Sequence, residues 1–124
     1  MIKPLLNQLT YNYGFDKYEK ITLFRKEQNL LVTLQAYSES DGITDEQEKT
    51  YYEFFQNEQK YVAIAEKSLI GLEGIDAERV YILTSIVISR EGKLALLFDI
   101  NNEEEGLAIQ VIPDLLVCDQ SEYL

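Results

Sequence analysis

The side chains best spaced for chemistry in this chain are carboxylates. Asp99, Glu103, Glu104 and Glu105 crowd into the stretch FDINNEEEGLAIQ. Paired carboxylates serve as acid and nucleophile in glycoside hydrolysis, and clustered carboxylate oxygens hold Mg²⁺ or Ca²⁺. Three adjacent glutamates in a turn, however, point in diverging directions. The D-x-[DN]-x-[DN]-G pattern of a calcium loop is not matched either. The stretch therefore reads first as a solvated turn or a partner-facing loop. A carboxylate-based metal or small-ligand site is the alternative.

Other chemistry is excluded by residue type. The chain has no histidine, which removes histidine acid/base catalysis, histidine-containing triads and the usual zinc sites together. Cys118 is the one cysteine, so no disulfide forms within the chain. Its setting, Leu115-Leu116-Val117-Cys118, suits a small buried apolar residue better than a reactive thiol. No phosphate-cradling glycine loop is present. Gly71-Leu72-Glu73-Gly74 has the GxxG form of a nucleic-acid clamp, but its acidic context at a helix end marks a helix stop. No catalytic activity and no cofactor are expected.

The elements that must position the acids follow from periodicity. Ile21 to Arg25 and Leu30 to Tyr37 read as strands joined by Lys26-Glu27-Gln28-Asn29. In the second, Leu30, Val32, Leu34 and Ala36 share one face. Leu9 to Tyr13 reads as a further strand ended by Gly14. Ser38 to Gly42 is a turn cluster, after which Thr44 and Gln47 form a capping box for a helix over about 45 to 70. Its apolar stripe runs through Tyr51, Phe55, Val62, Ala65 and Leu69, interrupted by Glu58 and widened by Phe54, Tyr61 and Ile70, with Gly71 as the cap. Strands follow at Val80 to Ser89, Lys93 to Ile100, Leu107 to Ile112 and Leu115 to Cys118, turned by Arg90-Glu91-Gly92 and Pro113-Asp114. The sum is a single α+β domain over 1–124. An antiparallel sheet, an early hairpin plus a C-terminal four-strand meander, packs against one long helix.

Charge sets the partner expectation. Eleven Lys and Arg oppose twenty-two Asp and Glu, for a net charge of -11. That field repels nucleic-acid phosphate and anionic membranes and suits a basic protein partner. Residues 94–124 hold seven acids and no Lys or Arg, and residues 39–58 hold seven acids against Lys49. If these regions meet, Glu103, Glu104, Glu105, Asp114, Asp45 and Glu46 make one negative partner-binding face. The nine tyrosines, with Tyr11, Tyr13, Tyr18 and Tyr37 near the hairpin, suit either half-buried sheet positions or an interface. Met1 to Gln8 lacks the apolar core of a signal peptide and no stretch has transmembrane length, so a cytoplasmic location is expected.

Two stretches carry a resemblance: ITDEQEKTYYEFFQNEQKYVAIAEKSL and VYILTSIVISREGKLALLFDINNEEEGLAIQV. They resemble a group of small uncharacterised bacterial domains across roughly residues 20–118. Gln47, Phe54, Phe55 and Asn57 match that group's helix. Ile88, Gly92, Leu94, Leu96, Leu97 and Asp99 match its strand pair. Asn102, Glu104, Glu105 and Gly106 stand where those domains often carry Asp, Glu, His and Gly. The resemblance implies an immunity-type or phage-associated accessory protein rather than an enzyme. Glu105 at the histidine position and Asn102 at the aspartate position imply that any loop chemistry in relatives is absent here. The expectation is a binding protein, possible opponent of a basic toxin or nuclease, with a homo-oligomeric module as a further alternative.

Overall fold

The computed structural model describes residues 5–123. Met1–Pro4, where the reading for a leader begins, and Leu124 lie outside the described residues. Seven strands run in chain order across one sheet: β1 (Thr10–Tyr11), β2 (Phe15–Leu23), β3 (Lys26–Leu34), β4 (Tyr81–Ile88), β5 (Leu94–Ile100), β6 (Leu107–Ile112) and β7 (Leu116–Asp119). All neighbours are antiparallel except β3 and β4, which pair parallel from Leu31↔Ser85 to Leu34↔Ile88. The sheet is thus one continuous, mostly antiparallel layer. The expected meander is its second half, joined edge to edge to the early hairpin.

The hairpin is longer than its sequence suggested. Lys26–Asn29, expected as the connection, are ladder residues, and Leu23 pairs with Lys26. Phe24 and Arg25 alone make the turn, with φ of 49° and 65°. Two left-handed residues match the right-handed strand twist, yet neither is the usual Gly or Asn, so the turn carried no signal. Leu30, Val32 and Leu34 do share the buried face. The expected strand at Leu9 to Tyr13 shrinks to the two residues of β1.

The single long helix is two. α1 (Asp45–Gln56) and α2 (Glu58–Glu73) meet at Asn57, whose φ of -128° and ψ of 35° leave helical geometry. The Asn57 amide donates to the Glu53 carbonyl at 3.0 Å and to Glu53 Oε2 at 3.1 Å. Asparagine is a weak helix former that competes with the backbone in this way. Tyr61 donates its hydroxyl to the same Glu53 oxygen at 2.6 Å. Phe54, not Phe55, is the fully buried ring, and Ile70 is exposed. α2 also runs through Gly71 to Gly74, the true cap, where φ is 65° and the N–H donates to the Ile70 carbonyl. A short helix, α3 (Ala77–Val80), leads into β4.

Thr44 and Gln47 form the capping box expected of them. Gln47 does more than cap. It is fully buried, and its amide nitrogen donates to the carbonyls of Gln35 at 2.8 Å and Ile88 at 3.2 Å. Those carbonyls end the parallel strand pair, so one side chain ties the helix start to both strands. Arg90 completes the junction by donating to the carbonyls of Gly42 at 2.6 Å and Gln35 at 3.2 Å.

The core lies between the helices and one face of the sheet, built from Phe54, Val62, Ala65 and Leu69 against Ile21, Val32, Ile86, Leu96, Phe98 and Ile109. α2 approaches both β2 and β6. Four strand spacings separate these, about 19 Å in a flat sheet, a span that the 16 residues of α2 cover by lying across the strands. The opposite face carries a smaller apolar group, Val87, Ala95, Leu97 and Ala108, covered by Cys118 and Tyr123. Tyr123 belongs to a 3-10 turn (Gln120–Tyr123) that folds back over this face.

Candidate protein-binding surface

The glutamate stretch is the connection between β5 and β6. Asn102 takes a left-handed φ of 68°, and the Glu103 N–H donates to the Ile100 carbonyl at 3.0 Å. Glu103, Glu104 and Glu105 are all exposed. Gly106 closes the loop against its surroundings. A Cβ there would stand 2.5 Å from the Phe98 carbonyl oxygen and 2.7 Å from the Gln120 side chain. Gln120 reaches this spot because its N–H donates to the Gly106 carbonyl at 3.2 Å. The loop therefore abuts the end of β7, where Glu104, Glu105, Asp119, Gln120 and Ser121 border a shallow depression.

A further acid joins from the helix layer. The Tyr81 hydroxyl titrates above its ordinary range, first because it is buried and then because the Glu73 and Glu103 carboxylates face it. Glu73 is the last residue of α2, and the last turn of that helix has no basic residue. Helix carbonyls already place partial negative charge at a C-terminus, where a cation is favoured. Here the fold adds carboxylates from two elements instead. Sequence reading missed Glu73, for its place beside the Tyr81 hydroxyl depends on how α2 lies across the sheet.

The six candidate acids do not form one face. Glu46 lies against the β4–β5 turn, its carbonyl oxygen 3.0 Å from where a Cβ on Gly92 would stand. Asp45, in the same first turn of α1, is at that end too. Asp114 joins them through the register of Leu94 with Ile112. Glu103 to Glu105 sit beyond Ile100, at the other end of β5. That strand has seven residues, which span about 20 Å. The expected meeting of helix start and glutamate loop is therefore replaced by two acidic ends.

Between the ends, on the sheet face away from the helices, Gln35, Gln110, Leu116, Cys118, Glu122 and Tyr123 line a hollow. Its polar atoms satisfy one another. Gln110, almost fully buried, donates to Asp114 Oδ1 at 3.0 Å and accepts from the Tyr123 hydroxyl at 2.8 Å. Gln35 donates to the Tyr123 carbonyl at 3.1 Å. Burial, with the Glu122 charge next, pushes the half-buried Cys118 thiol up, the opposite of what a nucleophile needs. Among the described residues, no group of three or more His, Cys, Asp or Glu side chains is placed to hold a metal ion. No described helix is long and apolar enough to cross a membrane. Of the tyrosines near the hairpin, Tyr13, Tyr18 and Tyr37 are exposed, while Tyr11 packs edge-on against Phe15.

No protein-family model, curated protein or solved structure matches this chain.

Proposed function

We propose that this protein is a non-catalytic domain that binds a basic protein segment, in the manner of an immunity protein opposing a toxin or nuclease. One observation carries the reading: Glu73 at the negative end of α2 and Glu103, the first of the three loop glutamates, both set their charge on the Tyr81 hydroxyl, and the last turn of α2 offers no basic residue to offset them. Like charges gathered at a helix C-terminus repel each other and the helix dipole. They weaken the free fold and favour a cationic partner. Such complementarity speeds encounter and selects the partner. The absence of histidine and the raised thiol of Cys118 support binding over catalysis.

Co-expression with the product of the neighbouring gene tests the reading. A stable complex is expected on size exclusion, weakening as salt rises through the screening range. The combined substitution Glu103→Gln, Glu104→Gln, Glu105→Gln should weaken it further. Because these side chains are exposed, folding stability should move by no more than about 0.5 kcal/mol. Separate elution at low salt, or a complex indifferent to both salt and substitution, overturns the proposal.

A further inference from the structure

We infer that the outer edge of β7 is the docking strand, and that its occupant is an extended segment of a basic partner, added as an eighth strand. This rests on the basic-partner reading and gives it a location.

β7 ends the sheet, and no strand among the described residues pairs with its far side. Its hydrogen-bond phase follows from one contact. The Gln120 N–H donates inward to the Gly106 carbonyl at 3.2 Å. Antiparallel ladders alternate, so Cys118 and Leu116 also turn their backbone groups toward β6, leaving those of Val117 and Asp119 aimed outward. Leu115, Leu116 and Val117 are 53%, 51% and 39% exposed. An open, apolar edge with free backbone groups is the template that incoming strands use. Natural edges are commonly blunted by lysine, yet residues 94–124 contain neither Lys nor Arg.

Charge selects the occupant. Asp114 precedes the strand, and Asp119 ends it beside Glu104 and Glu105. The apolar centre is thus bracketed by carboxylates at both ends. A second copy would bring the same acids together, in a chain of net charge -11. A segment with alternating apolar residues and flanking lysines or arginines meets the edge in three ways: main-chain groups to Val117 and Asp119, apolar side chains along the face that carries Leu116 and Cys118, cations to the ends.

The probe is the acetylated, amidated peptide Lys-Lys-Val-Thr-Val-Thr-Val-Lys-Lys, titrated into the full chain at an ionic strength of about 10 mM. Amide resonances are followed by NMR. The control peptide has proline in place of both threonines, keeping the charge but losing two amide donors and the capacity to pair as a regular strand. The expected result is tighter binding of the first peptide, with shifts and slowed exchange at the Val117 and Asp119 amides. Val117→Pro should weaken that binding about tenfold, because it removes an outward donor and bars the incoming strand. It removes no existing ladder bond, and Val117→Lys provides a second test with the backbone intact.

Equal binding of both peptides, with shifts confined to the glutamate loop, overturns the docking strand and leaves the basic-partner reading standing. Binding of neither peptide overturns both. A concentration-dependent dimer in sedimentation, abolished by Val117→Pro, assigns the edge to a second copy and also overturns the inference.

Discussion

The Tyr123 hydroxyl donates to Gln110 Oε1 at 2.8 Å, linking the last described turn to the centre of β6. Gln110 is 4% exposed and its amide nitrogen is already committed to Asp114. Tyr123→Phe keeps the ring over Ala108 and Cys118 but leaves that oxygen without its donor. The expected cost is about 1–3 kcal/mol in urea unfolding. A change within error would mean that this turn lies free of the sheet in solution.

Gln47 should be the costliest polar side chain to lose. Its oxygen accepts from the Thr44 N–H at 2.9 Å while its nitrogen serves the carbonyls of Gln35 and Ile88. Gln47→Ala strips the Thr44 N–H of its acceptor and leaves the Gln35 and Ile88 carbonyls with only Arg90 and the Gln35 N–H as donors, at the point where α1, β3 and β4 converge. A loss of about 2–4 kcal/mol follows. Thr44→Ala, which forfeits one cap, should cost about 1 kcal/mol. Equilibrium unfolding of the two variants side by side checks the ranking.

Two glycines should respond in opposite senses. Gly71 lies inside α2 with open space where a Cβ would go. Gly71→Ala is expected to stabilise by about 0.5–1 kcal/mol through better helix propensity. Had it been the helix cap, the sign would be reversed. Gly106→Ala drives a methyl into the Phe98 carbonyl and the Gln120 side chain, with an expected loss of about 1–3 kcal/mol. Thermal unfolding of both variants decides the matter.

Alkaline titration should unfold the protein. Tyr51 is pushed up strongly, first by burial and then by its hydrogen bond and charge interaction with Glu19. Tyr81 and Tyr123 are raised mainly by burial, and Tyr61 mainly by its hydrogen bond to Glu53. Each folded value lies above the unfolded one of 10.0. Below that pH these groups are neutral in both states and their contribution is fully present. Above it the unfolded chain ionises first, so stability falls as pH rises. Tyrosinate absorbance should therefore show Tyr51, the most strongly raised, ionising only as the chain unfolds. A single smooth titration of all nine tyrosines in a chain that stays folded would refute this.

Local chemistry was legible in this chain, and relations between elements were not. The capping box at Thr44 and Gln47 and the loop ended by Gly106 could be read because each is decided within a few residues. The break at Asn57 showed in the apolar stripe only as the interruption at Glu58, since Phe54 and Val62 keep their phase on either side of it. The turn at Phe24 and Arg25 was hidden because the usual left-handed residues are absent. For the candidate surface, the glutamates were visible but their neighbours were not. Glu73 reaches Tyr81 through helix placement, and Asp114 is carried to the opposite end by the register of β5 with β6.

The parallel join of β3 to β4 also shapes how the chain finds its structure. β1 to β3 and β4 to β7 are each built from neighbouring hairpins, contacts that close quickly at small entropic cost. Leu31 and Ser85 pair across roughly 50 intervening residues, where loop closure is dearer and comes later. Gln47 and Arg90 act at that join, so their substitutions should slow refolding more than changes within either hairpin array. Until the halves meet, the inner edges of β3 and β4 stand open. During synthesis, β3 emerges first and must wait for its partner.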